Sequence, residues 1–148
     1  MTSDHLDEIT AAVIDVLEDI APPFGAEAPA SFYDELTENP GPFPSFVVVP
    51  RQRRRTMSTN SQREFVATIE IYLFFGANEW RYASASQRLW EAPVLDAFDS
   101  ASRLRSTGVT LASINEVRYD PVELNDVPHV AITFSLEVTL RETFTFGA

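Results

Sequence analysis

The sequence predicts an α+β fold: a single mainly antiparallel β-sheet with two helices packed on one face, long projecting strands and a basic arm. Three observations lead to it. Residues 64–75 and 129–144 alternate apolar and polar side chains over unusual lengths, as strands that bury one face do. Residues 4–20 and 79–104 instead repeat apolar residues at three- and four-residue steps, as helices with one buried stripe do. Between the first helix and the first long strand lies a segment, 51–63, with five Arg, no acid and Met57 as its one apolar residue. At 148 residues the chain is expected to be one domain, 1–148, long enough to bury its own core.

Taken in order, Leu6, Ile9, Val13, Val16, Leu17 and Ile20 form the stripe of the first helix, and Pro22-Pro23 ends it. Asp4, Asp7 and Glu8 sit in its first turn, where carboxylates suit the helix dipole. Residues 21–44 carry six Pro and two Gly and read as loop, with a short strand or turn at Ser31–Leu36. Phe46-Val47-Val48-Val49 reads as a short strand closed by Pro50. The segment 51–63 has nothing to bury and is expected to be mobile in the isolated subunit. In Glu64–Phe75, the residues Phe65, Ala67, Ile69, Ile71, Leu73 and Phe75 share one face, and Val66, Thr68, Glu70, Tyr72 and Phe74 the other. Gly76-Ala77-Asn78 turns into the second helix, where Trp80, Gln87, Trp90, Val94 and Phe98 follow helical spacing. Pro93 predicts a kink or break near Glu91-Ala92. A strand over Val109–Tyr119 follows, Pro121 interrupts, and the long strand 129–144 closes the chain.

Fully extended, Glu64–Phe75 spans roughly 40 Å and His129–Phe144 roughly 50 Å, against about 17–20 Å for a typical strand. A domain of this size cannot cover both along their whole length, so their ends should pair with another subunit.

The charge is asymmetric. The net charge is −11, all eleven basic residues are Arg, residues 1–50 hold ten acids and no base, and 64–148 carry net −6. Such a distribution predicts complementary surfaces that meet between subunits, and overall acidity argues against nucleic acid as a general target. The absence of Cys removes disulfides, thiolate catalysis and Cys-based zinc sites. The acidic start predicts no secretory leader, and no apolar run predicts a membrane span.

No chemistry is legible. His5 and His129 stand apart and read as exposed polar residues, and no paired-histidine metal motif occurs. Asp15, Glu18 and Asp19 could present carboxylates on one helix face, but they lie opposite the apolar stripe, where acids are expected anyway. There is no nucleophile motif and no phosphate-binding glycine loop. The sequence therefore predicts no enzyme and no catalytic, cofactor-binding or metal residues. The segment carrying Arg51, Arg53, Arg54, Arg55 and Arg63 has three readings: a nuclear or nucleic-acid patch, a solvated hairpin tip, or an arm that docks on the acidic surface of a neighbour. The first lacks interleaved aromatics to stack bases. The third is preferred, because residues 1–50 supply the matching charge.

A short acidic helix leads through a Pro-rich loop to Phe46-Val47-Val48-Val49, then a basic excursion, then Glu64-Phe65-Val66-Ala67-Thr68-Ile69-Glu70-Ile71-Tyr72-Leu73-Phe74-Phe75. A mid-chain helix and the strand from Val130 to Glu142 complete the order. This pattern, along nearly the whole chain, resembles the tail terminator (tail completion) proteins of long-tailed bacteriophages. The resemblance lies in element order and strand texture, since that family has no invariant motif. It implies a virion protein at the head-proximal end of the tail, assembled in the host bacterial cytoplasm. It also implies a homo-oligomeric ring, usually of six subunits, that caps the tail tube, ends its growth and forms the face on which the head docks. Partners would be the tail tube protein and a head–tail connector protein, with DNA passing through the ring unspecifically and no membrane or cofactor involved. A head–tail connector or neck protein, and a small acidic protein-binding module of a bacterial cell, stay open beside it.

Overall fold

The structure, a computed structural model, describes residues 3–35, 41–59, 61–76, 80–104 and 109–143, with side chains described from residue 6 and not for 80–85 or 142–143. The order is α1 (Ser3–Glu18), β1 (Ser31–Tyr33), β2 (Ser45–Ser58), β3 (Gln62–Phe74), α2 (Trp80–Ser100), β4 (Val109–Arg118), β5 (Val122–Leu124), β6 (Val127–His129) and β7 (Ala131–Thr143). Five strands form one sheet in the order β1-β2-β3-β7-β4, antiparallel except for the short β1–β2 pair. The protein is thus α+β, with both helices on one face of a mainly antiparallel sheet.

The two-residue period of β3 decides both faces. Ala67, Ile69, Ile71 and Leu73 are buried in one cluster with Ile9, Val13, Val16 and Leu17 of α1 and Trp90, Val94 and Phe98 of α2. Phe46 meets the Trp90 ring edge-on, with centroids 5.7 Å apart. The other side of the sheet has a smaller cluster, in which Tyr72 and Phe74 pack with Val47, Val49, Ala131 and Leu124. Its cover is the β5–β6 hairpin, whose turn residues Asn125 and Asp126 both take positive φ, at 52° and 64°. Two consecutive left-handed residues give the twist of a tight hairpin, and Asn and Asp adopt that conformation most readily among residues with a Cβ.

Five expectations change. Pro50 does not close a strand: β2 runs 14 residues to Ser58 and pairs with β3 down to Ser58↔Arg63. The ladder slips between Pro50 and Gln52, so Arg51 is the extra residue of a bulge. Beyond Val47 the outer edge of β2 has no strand partner among the described residues, and an edge tolerates a residue without an N–H. The basic segment is consequently not an excursion from the sheet. Residues 51–58 and 62–69 form the distal half of a hairpin whose register shifts again between Arg55 and Met57, and the outer side of 62–69 pairs in turn with 136–143 of β7. Residue 60 lies outside the described residues.

The second helix continues through Pro93 without a break. Pro93 withholds a hydrogen bond from the carbonyl of Leu89, itself 42% exposed, so solvent can satisfy that group. The last strand is interrupted at Val130: β6 ends at His129, β7 starts at Ala131, and the Val130 carbonyl accepts from the Phe75 N–H at 3.0 Å. Finally, His129 is not an exposed polar residue. It is 9% exposed, between the rings of Phe43 and Phe74 at 5.2 and 6.5 Å.

Candidate functional site

The arginines of the basic segment are sorted by the strand pairing into four environments. Arg51, pushed out by the bulge, turns to the sheet face away from the helices. There its Nη2 donates to the Tyr72 hydroxyl at 2.6 Å, and its Nε lies 3.8 Å from the Glu70 carboxylate. The Tyr72 hydroxyl donates in turn to Glu70. Arg118 of β4 reaches the same carboxylate at 3.3 Å and bonds Glu116 at 2.7 Å. Glu70, 18% exposed, is therefore held between two guanidinium groups contributed by distant strands.

The electrostatics follow from this geometry. The hydrogen bond to Tyr72 raises the Arg51 pKa, while burial opposes it. The Glu116 hydrogen bond raises that of Arg118. Burial raises the Tyr72 pKa most, and the bond to Glu70 adds to it. All of these charges are matched within the chain. The cluster ties β2, β3 and β4 together, while the Arg51 side chain stays 41% exposed. Sequence reasoning placed Glu70 and Tyr72 on one face but had no local signal for Arg51 or Arg118.

Arg53 and Arg55 pair in register with Ala67 and Phe65, so both lie on the helix side of the sheet. Arg53 stacks on Phe65, its guanidinium carbon 3.8 Å from the ring centroid. Such stacking shelters the stem of the side chain and is attractive to the cation. Arg54, opposite Val66, lies on the other face, as does Met57, opposite Glu64. Both Arg54 and Arg55 are exposed and have no hydrogen bond or ion pair among the described residues. Arg63, the second residue of β3, is in register with Glu142 of β7. Glu64 is neutralised by Arg141 at 3.2 Å and accepts a hydrogen bond from Thr56 at 3.1 Å. The five arginines thus do not form one patch. Two cations at the distal end of the hairpin remain available, next to an exposed methionine.

Among the described residues the other chemical candidates do not converge. Asp15 and Asp19 are exposed on α1 and its end. The described residues contain no group of three or more His, Cys, Asp or Glu arranged to hold a metal. The His129 Nδ1 is engaged with the Val127 carbonyl at 3.0 Å, and the side chain of His5 lies outside the described residues. No helix of the described residues is long and apolar enough to cross a membrane. No protein-family model matches the chain, and no curated protein is significantly similar to it.

Proposed function

We propose that this chain is a structural virion protein: a tail terminator subunit that oligomerises into a ring on the end of a phage tail tube, stops its growth and presents the face on which the head docks. The observation that carries this reading is the distal half of the sheet. Strands β2, β3 and β7 run 14, 13 and 13 residues, more than twice the typical length of about 5–6. Over residues 50–58 nearly every side chain of β2 is exposed, and its outer edge pairs with β1 only at 45–47. On the opposite side of the sheet, β4 is also an edge strand. A subunit with two open edges among the described residues, and with charge divided between an acidic helical end and a basic hairpin, suits head-to-tail association, which closes into a ring when its rotation permits.

A ring subunit works by shape and pairing, so the reading needs no converging catalytic groups. Light scattering tests it, first on the protein alone at high concentration and then with isolated tail tubes added. Ring-sized particles, or assembly only on tubes, are expected. A strict monomer under both conditions would overturn the proposal.

A further inference from the structure

Between the ends of the two helices lies a groove of about 460 Å³. Val16, Ile20, Pro93 and Ala97 make its floor, and Asp19 and Asp96 stand on its rim; no basic residue lines it. The volume falls in the range of about 300–1,000 Å³ typical of pockets that hold a small ligand, enough for side chains from a strand tip. Both helices finish here. The groove includes residues 19–21, just past the end of α1, and 100–101, at the end of α2. Neither helix has a basic residue in its last turn. Instead Glu18 and Asp99, both exposed, adjoin the groove in sequence. Carboxylates at a helix C-terminus face the negative end of the dipole and the carbonyls left without intrahelical partners. Two such ends side by side concentrate negative potential over an apolar floor, and that combination favours a cation carried on an apolar scaffold.

The chain itself carries the complement. Arg54 and Met57 share one face of the β2–β3 hairpin and Arg55 the other; all three are exposed. Met57 is unbranched and polarizable, suited to an irregular apolar groove. No described residue of the hairpin tip lines the groove of its own chain. We infer that the α1–α2 groove is the receptor for the β2–β3 hairpin tip of a second copy, with Met57 on the apolar floor and Arg54 and Arg55 against the acidic rim. The contact is heterologous, since each copy offers a tip at one place and a groove at another, and a repeated heterologous contact closes a ring when its rotation permits. The inference rests on the ring reading above and specifies which surfaces meet.

Charge reversal in two halves tests it. One variant reverses the tip, Arg54→Glu with Arg55→Glu. The other reverses the acidic end of α2, Asp96→Arg on the rim with Asp99→Arg beside it, changes that suit the end of that helix and should leave its fold intact. Each alone is expected to assemble about tenfold less than the wild type, on tail tubes and at high concentration. Mixed in equal amounts, they should recover, because each reversed tip then finds a reversed rim and each native tip a native rim. The sequence has no Cys, so a second measurement is clean. Met57→Cys and Ser100→Cys, on separate copies and otherwise unchanged, should be joined by a short bismaleimide during assembly. Normal assembly of either reversed variant, failure of the mixture to recover, or absence of the cross-link would overturn the inference. If the wild type assembles in those cases, the ring reading survives; a wild type that never associates overturns both.

Discussion

Arg53 lies over Phe65, with its guanidinium carbon 3.8 Å from the ring centroid, and joins the two strands of the hairpin. Arg54 and Arg55 extend into solvent beside it. The arginines should therefore separate in a stability experiment. Arg53→Ser loses a cation–π contact and the packing of its stem, and is expected to cost about 0.5–1 kcal/mol. Arg54→Ser and Arg55→Ser should each change stability by no more than about 0.5 kcal/mol, as exposed substitutions do. Urea unfolding of the three single variants would show the difference. Equal costs would mean that the stack contributes nothing.

Hydrogen exchange distinguishes an ordered hairpin from a loose arm. Residues 51–58 pair with β3 on one side only, so alternate amides point inward to the ladder and outward to solvent. In the free subunit the inward amides are expected to be protected and the outward ones to exchange quickly. Uniformly fast exchange over 51–58 would contradict the pairing. Upon assembly, protection of the outward set would place a neighbouring strand on the β2 edge. Raising salt to 1 M, where the screening length is about 3 Å, should weaken an assembly that depends on exposed arginines.

What could be read from the sequence, and what could not, divides along contrast. In 64–75 and 130–140 apolar and polar residues alternate, so strand and face were both legible: Ala67, Ile69, Ile71 and Leu73 are buried beneath the helices. The stripes of α1 and α2 were legible for the same reason. In 51–58 there is almost no apolar residue to alternate, and the extended backbone is imposed by the ladder to β3. Pro50 added to the misreading, since a proline closes a central strand but only needs an outward position on an edge. The Glu70 cluster and the burial of His129 both depend on residues brought in from afar, Arg51 and Arg118 in one case and Phe43 in the other. No local pattern encodes them. The groove was invisible as well, although its acids were noted as a charge excess.

His129 now carries a structural prediction. Its ring fills the space between Phe43 and Phe74, and its Nδ1 engages the Val127 carbonyl. His129→Ala is expected to destabilise the protein by about 1–2 kcal/mol through lost packing against those rings. Below its melting temperature the variant should still assemble, and His5→Ala should assemble normally. Loss of tail assembly in either variant with the fold intact would point instead to chemistry at a histidine.

The last prediction concerns alkaline pH. The Tyr119 hydroxyl, at the end of β4, donates to the Glu91 carboxylate of α2 at 2.6 Å. Burial, and next that hydrogen bond, push its pKa from 10.0 up to about 12. Between those values the native protein keeps a proton that the unfolded chain has released. The native state then binds more protons, so stability must fall as pH rises. The contribution is complete below pH 10.0, the ordinary value, and is lost as pH passes about 12. Tyr72, raised in the same direction by burial and by its bond to Glu70, adds to the loss. Tyr119→Phe should flatten part of this alkaline decline and leave the Tyr72 part in place, while removing one late step from the ultraviolet titration of the tyrosines. The ring of Tyr119 is 40% exposed, so solvent screens its bond and the change near neutral pH should be small. An alkaline stability curve identical in wild type and variant would show that the β4–α2 link is absent in solution.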